Sequence, residues 1–344
     1  MPKRSLTRKL QSRSQKREAM RKPIRLSAAA GILALLGLPA VAQYPSKLIT
    51  FIVPAAAGGD ADLSGRNLAQ HAQKFLNNQP ILVVNRPGAS TSIGSMAVRT
   101  AAPDGYTLLI ARLASHAILP AVDTKVPYQW NEFTMLSLLE VNPYVCAVKR
   151  DSPIRSMRGL VEQMRESPGK LNFSTSGIGT IQNFGPQYLF TLAGLTKDHA
   201  IGIHYKGGGE VTTSLLGGQV QFACNNLPTF IAHLKSGTLR ALMVTTPQRL
   251  VDLPDVPTSR ELGWPDMERI AGWSALMGPP GIAKAVVDRW TEVLGKLASD
   301  PDWLAGNARI GGIPAIRSPA ETEKFVREQY ELYKRLATSL NIRE

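Results

Sequence analysis

Cysteine, histidine and long apolar runs are what this sequence has little of. Two cysteines and five scattered histidines in 344 residues cannot supply the four clustered ligands of a structural zinc site. No metal or other cofactor is expected. Several catalytic signatures are missing as well: the Gly-x-Ser-x-Gly elbow, the Walker loop and His-Glu-x-x-His. Gly177-Ile178-Gly179 lacks the third glycine of the dinucleotide fingerprint. Acids number 26 against 40 bases, a net charge of +14, which taken whole suggests nucleic acid. Ten of those bases and one acid lie in residues 1–42, however, and the remainder carries 30 bases against 25 acids. A net +5 calls for no polyanion, so no nucleic-acid partner is expected. What is present is enough apolar sequence, 44%, to bury the cores of two ordinary domains.

The N-terminus has the three parts of an export signal. A basic stretch ends at Arg25, an apolar run follows from Leu26 to Leu38, and Pro39-Ala40-Val41-Ala42-Gln43 offers small residues for cleavage after Ala42. The run is shorter than the ~20 residues of a spanning helix. Met20 is an alternative start to Met1. The mature chain from Gln43 is expected in the periplasm. Cys146 and Cys224 either pair in that oxidising compartment or remain buried thiols.

Past the signal, short β-rich runs alternate with helical patterns. Strands are expected at 48–53, 81–84, 106–111, 144–148, 171–174, 201–205, 220–224 and 240–245. The clearest helices are at 63–76, 92–101, 158–166, 182–193, 283–299 and 319–339. This order predicts an α/β fold with parallel sheets and helices on their faces. Ligands of such sheets bind beyond the carboxyl ends of the strands. Two strand-to-helix junctions, Ala55–Asp62 and Ser174–Thr180, are rich in small residues. Free N–H groups at a helix start attract an anion, and small side chains admit it to the backbone. Ser174, Thr175 and Ser176 have no His or acid partner suggested by spacing, and His116 and His204 are expected to be structural rather than bases. Anion-binding junctions without a catalytic group indicate a binding protein rather than an enzyme.

A set of motifs carries a resemblance. They are Ile52-Val53-Pro54-Ala-Ala-Ala-Gly-Gly59, Val84-Asn85-Arg86-Pro87-Gly88-Ala89, Ala102-Pro103-Asp104-Gly105-Tyr106-Thr107-Leu108-Leu109 and Pro168-Gly169-Lys170-Leu171-Asn172-Phe173-Ser174. Later come His204-Tyr205-Lys206-Gly207-Gly208, Leu216-Gly217-Gly218-Gln219-Val220 and Leu253-Pro254-Asp255-Val256-Pro257-Thr258. In this order the sequence resembles the Bug or TctC-like solute receptors of the tripartite tricarboxylate transporter family. The resemblance implies a periplasmic binding protein fold with two α/β lobes and a ligand cleft between them. Lobe 1 would comprise 43–143 and 230–344, and lobe 2 would comprise 144–229, with crossings near 144 and 227. It also implies a small-molecule carboxylate ligand, a two-subunit membrane permease as partner, and a monomer. Carried over, the first jaw is Ala56, Ala57, Gly58 and Gly59, and the second is Thr175, Ser176, Gly179 and Thr180, followed by Asn183 where relatives often have His.

Departures from the family pattern refine the ligand. Ala55 replaces a frequent Phe and leaves room. Asn225 replaces an Asp that can hold an amine, which makes an amino-acid ligand unfavourable. Arg112 stands where small polar residues are usual, just past a strand's carboxyl end. Its planar fork suits a second carboxylate, with Ser115, His116 and Asn225 adding hydrogen bonds; pairing of Arg112 with a surface acid of the protein is the alternative. A dicarboxylate is expected, and a rigid aromatic one such as terephthalate is the specific expectation. A secreted enzyme on the same fold and a ligand-presenting sensor for a membrane kinase are the alternatives.

Overall fold

A computed structural model describes residues 44–342 of the chain. The expected signal segment 1–42, the cut after Ala42 and the start at Gln43 lie outside the described residues.

The elements begin with β1 (Ile49–Val53), α1 (Asp60–Ala72), β2 (Ile81–Asn85), α2 (Ser92–Arg99) and β3 (Thr107–Arg112). A π-helical turn (Ala114–Ile118) runs into α3 (Leu119–Val122), and β4 (Thr134–Asn142) follows. Next come β5 (Tyr144–Lys149), α4 (Met157–Glu166), β6 (Leu171–Thr175), α5 (Ile181–Leu192), β7 (Ala200–His204), α6 (Gly208–Leu216), β8 (Phe222–Asn226), α7 (Leu227–Lys235) and β9 (Leu239–Val244). The chain closes with β10 (Gly272–Gly278), α8 (Lys284–Leu297), α9 (Pro301–Ile310), β11 (Ile313–Pro314) and α10 (Pro319–Ser339).

The strands form two sheets, ordered β11-β4-β10-β3-β1-β2 and β7-β6-β8-β5-β9. Both are mixed rather than wholly parallel. In the first, β1 runs parallel to β2 and β3, but β10 is antiparallel to both β3 and β4. In the second, β6 is parallel to β7 and β8, while β5 is antiparallel to β8 and β9. The first crossing between sheets is the single residue Pro143 between β4 and β5. The return differs from expectation. Because β9 pairs with β5, the chain leaves the second sheet after Val244, not near 227. Residues 230–244 therefore go with the second sheet.

Local chemistry explains the boundaries. Helix α4 starts where the Ser156 hydroxyl accepts from the Gly159 N–H, and α9 where Asp300 accepts from Trp303. Helix α10 opens on a reciprocal Ser318–Glu321 capping box with Pro319 at its first position, a strong start signal. Gly94 of α2 lies so close to Pro54 that a Cβ there would fall 2.7 Å from the Pro54 Cα. This contact seats the end of β1. Helix α10 reaches the second sheet's layer: Tyr333 meets Phe184 of α5 edge-on at 5.4 Å. Cys146 on β5 and Cys224 on β8 face each other across the antiparallel ladder, Cα atoms 4.0 Å apart, and form a disulfide.

Candidate functional site

The carboxyl ends of β1 and β3 in the first sheet, and of β6 and β7 in the second, converge on a cavity of about 370 Å³. Four strand-to-helix junctions line it, three of them leading into α1, α5 and α6. The first gives Pro54, Ala55 and Ala56, the second Ser176, Thr180 and Gln182, and the third Tyr205, Lys206, Gly207 and Gly208. Pro87, Gly88, Ala89 and Thr91 form a further wall, with Arg112 and Ala114 from the end of β3. Two cations and no acid are among the described lining residues.

Helices α1, α5 and α6 follow these junctions, and none has a side-chain hydrogen bond capping its start. Early N–H groups of a helix left without a cap are available to a ligand. They are not equivalent here. Asp60 and Asp62 occupy the first turn of α1 and already use its positive end. The Asp62 carboxylate is buried, which pushes its pKa up, yet hydrogen bonds from Arg66, the Gly58 N–H and Asn85 hold it below its usual value. Helix α5 carries no acid in its first turn. The third junction approaches the first closely: a Cβ on Gly207 would lie 3.4 Å from the Ala56 Cβ, and one on Gly209 3.5 Å from the Ala57 carbonyl. Loops of the two sheets thus meet beside the cavity.

Arg112 is nearly buried and ion-paired through Nη2 with Asp60 Oδ1. Ser115 folds back on the same backbone, its hydroxyl donating to the Arg112 carbonyl at 3.0 Å and accepting from the Arg112 N–H at 3.1 Å. His116 is fully buried, with Nδ1 2.8 Å from the Ser115 hydroxyl and its ring 4.6 Å from that of Phe133. Burial alone pulls its pKa down to about 3, so the ring is neutral near pH 7. Behind this group lies Glu140, 1% exposed. Burial pushes its carboxyl up to about 7; Ser64, Asn142 and Ser274 oppose the shift by hydrogen bonding, and the charge of Asp60 reinforces it.

Of the residues expected from sequence, Ala56, Arg112, Ser176 and Thr180 line the cavity. Ala57, Gly58 and Gly59 lie in the first junction but do not line it. Thr175 is buried, its hydroxyl donating to the Gly177 carbonyl at 3.2 Å. Gly179 faces Leu119, and Asn183 donates to the Ile178 carbonyl at 3.1 Å. Ser115 and His116 sit behind Arg112 as its support. Asn225 is also one layer back, accepting from Gln182 Nε2 at 2.8 Å and donating to the Gly208 carbonyl at 3.1 Å. The sequence reading missed the third junction, although Lys206-Gly207-Gly208 has the same small-residue signal as the other two. It also missed Gln182 and the Asp60 partner of Arg112.

Known proteins share this architecture. The sequence model of the tripartite tricarboxylate transporter family receptor, TctC, matches residues 65–342. BugT of Bordetella pertussis is 31% identical over 317 residues, covering 89% of this chain and 94% of its own. The structure of the periplasmic binding protein BugD superposes with a TM-score of 0.81 at 27% identity, covering 87% of this chain and 99% of that one. A Rhodopseudomonas palustris protein with adipate gives 0.82 at 25% identity, with 87% and 99% covered. MatC from the same organism, with bound malate, gives 0.79 at 25% identity, with 85% and 99% covered. With its two mixed α/β sheets and a family match across most of its length, the chain belongs to the TctC receptor family of the tripartite tricarboxylate transporters.

Proposed function

We propose that this protein captures a dicarboxylate in the periplasm and delivers it to a two-subunit permease of the tripartite type. One observation carries the reading: four strand-to-helix junctions and two cations, Arg112 and Lys206, surround one cavity whose described lining holds no acid. One carboxylate is held by the junctions, through N–H groups at the helix starts, beside Ser176 and Thr180. The second meets Arg112, with Lys206 closing from the other sheet. Pro54, Ala55, Ala56, Pro87 and Ala89 give the cavity apolar walls, which suit a flat hydrocarbon body such as that of terephthalate. Adipate and malate, found in related structures, are both dicarboxylates.

The residues divide into two lobes, 44–143 with 245–342 and 144–244, that close on the ligand as a monomer. Export after cleavage at Ala42 is part of the same reading, and the Cys146–Cys224 disulfide suits an oxidising compartment. No helix of the described residues is long and apolar enough to cross a membrane. A binding rather than catalytic role is favoured because His116 is buried and the Ser176 hydroxyl donates to the Gln182 amide at 3.1 Å, so neither is an activated nucleophile or base.

A thermal-shift screen of mono- and dicarboxylates tests this. A ligand at 100 times its Kd adds about 2.7 kcal/mol to stability. A diacid is expected to give the largest shift. No shift with any acid would overturn the reading.

A further inference from the structure

We propose that Asp60 sets the selectivity of the cavity by holding Arg112 in competition with the second carboxylate of a ligand. The proposal rests on the carboxylate-receptor reading above. Asp60 is 2% exposed and does not line the cavity, whereas the Arg112 it pairs with does. Asp60 is itself held from the other sheet, because its Oδ2 accepts from Asn226 Nδ2. The Asn226 N–H donates to Asn225 Oδ1 at 2.9 Å, the same oxygen receives Gln182 Nε2 at 2.8 Å, and Gln182 Oε1 accepts from the Ser176 hydroxyl at 3.1 Å. A continuous polar chain therefore runs beneath the cavity from Arg112 on one side to Ser176 on the other, and Asp60 supplies its negative charge.

A guanidinium has five donors. Arg112 Nη2 is ion-paired with Asp60 Oδ1, and its buried Nε has no hydrogen-bond partner among the described residues. Donors thus remain for a ligand, but the charge is already balanced. A ligand carboxylate at this point places a second anion beside Asp60, with the Glu140 carboxyl also close to Asp60. Like charges in a poorly solvated site repel strongly. A hydroxyl or amide oxygen can accept from the same donors without that repulsion. Asp60 therefore narrows the gap between a diacid and its neutral-ended analogue.

Calorimetric titrations of the mature protein with adipate, malate and terephthalate, each paired with its own monoamide, read the effect. Asp60→Asn keeps an acceptor for Asn226 and removes the charge. It should raise the diacid-to-monoamide affinity ratio about tenfold while the monoamide itself changes less than threefold. An unchanged or smaller ratio overturns the proposal. Should that variant not fold, Asp60→Ser removes the same charge with less bulk and should also raise the ratio; a ratio that stays or falls overturns it equally. Binding of none of the three diacids by the wild type would overturn both this proposal and the receptor reading. Diacid binding with a ratio indifferent to Asp60→Asn would overturn this proposal alone.

Discussion

Arg112 faces two anions, one built into the protein and one expected from the ligand. Removing one partner of a buried ion pair leaves an uncompensated charge, which costs about 3–5 kcal/mol. Arg112→Ala should therefore lower the unfolding free energy by that amount, read by urea titration. Where the variant folds, it should weaken a diacid by roughly 2–5 kcal/mol and its matched monoacid much less. Glu140 gives a second residue-scale prediction. Its folded pKa of about 7 lies above the ordinary 4.5, so the folded state binds the extra proton. Stability from this group is full below about pH 4.5 and is lost as pH rises to about 7, a total of roughly 3 kcal/mol. Glu140→Gln removes that slope. Its melting temperature relative to wild type should rise between pH 5 and pH 8; a constant difference would assign Glu140 an ordinary pKa. His116 slopes the other way, losing stability as pH falls below about 6.5, and the comparison with wild type cancels it.

At the scale of elements, Gly207 offers the cleanest substitution. Its φ of −179° is open to any residue, so a side chain there introduces crowding without backbone strain. Gly207→Val drives a branched group toward Ala56 and should weaken acid binding at least tenfold with the melting temperature nearly unchanged. Unchanged affinity would remove the third junction from the site. The disulfide joins residues 78 apart in sequence, and its loss should cost about 2–5 kcal/mol, measurable by unfolding Cys146→Ser/Cys224→Ser against wild type. The alternating elements were legible because most strands are short apolar runs bounded by turn-forming or small residues, as in ITFIV before Pro54-Ala55. Strands β4 and β10 were not. The residues of β4 read TMLSLLEVN, almost wholly buried, and such a run shows neither the two-residue alternation of a half-buried strand nor a helical stripe. Their antiparallel pairing is what makes the first sheet mixed. The sites behind strand ends were legible from small residues, but Asp60 was not, because nothing local in Gly59-Asp60-Ala61 shows that Arg112, 52 positions on, arrives beside it.

For the whole molecule, two sheets joined by chain crossings after Asn142 and Val244, with a hydrogen bond from Asn226 to Asp60 between them, place groups of both sheets around one cavity. A ligand that touched both Arg112 and Ser176 would be bound by groups from both sheets. Neutralising its charge removes the reason for helix N–H groups and two cations to gather around it. Calorimetric titration of the strongest acid from the screen against its fully amidated form tests this most directly. The acid should bind at least 100-fold more tightly than the amide, and equal affinities would contradict a carboxylate receptor.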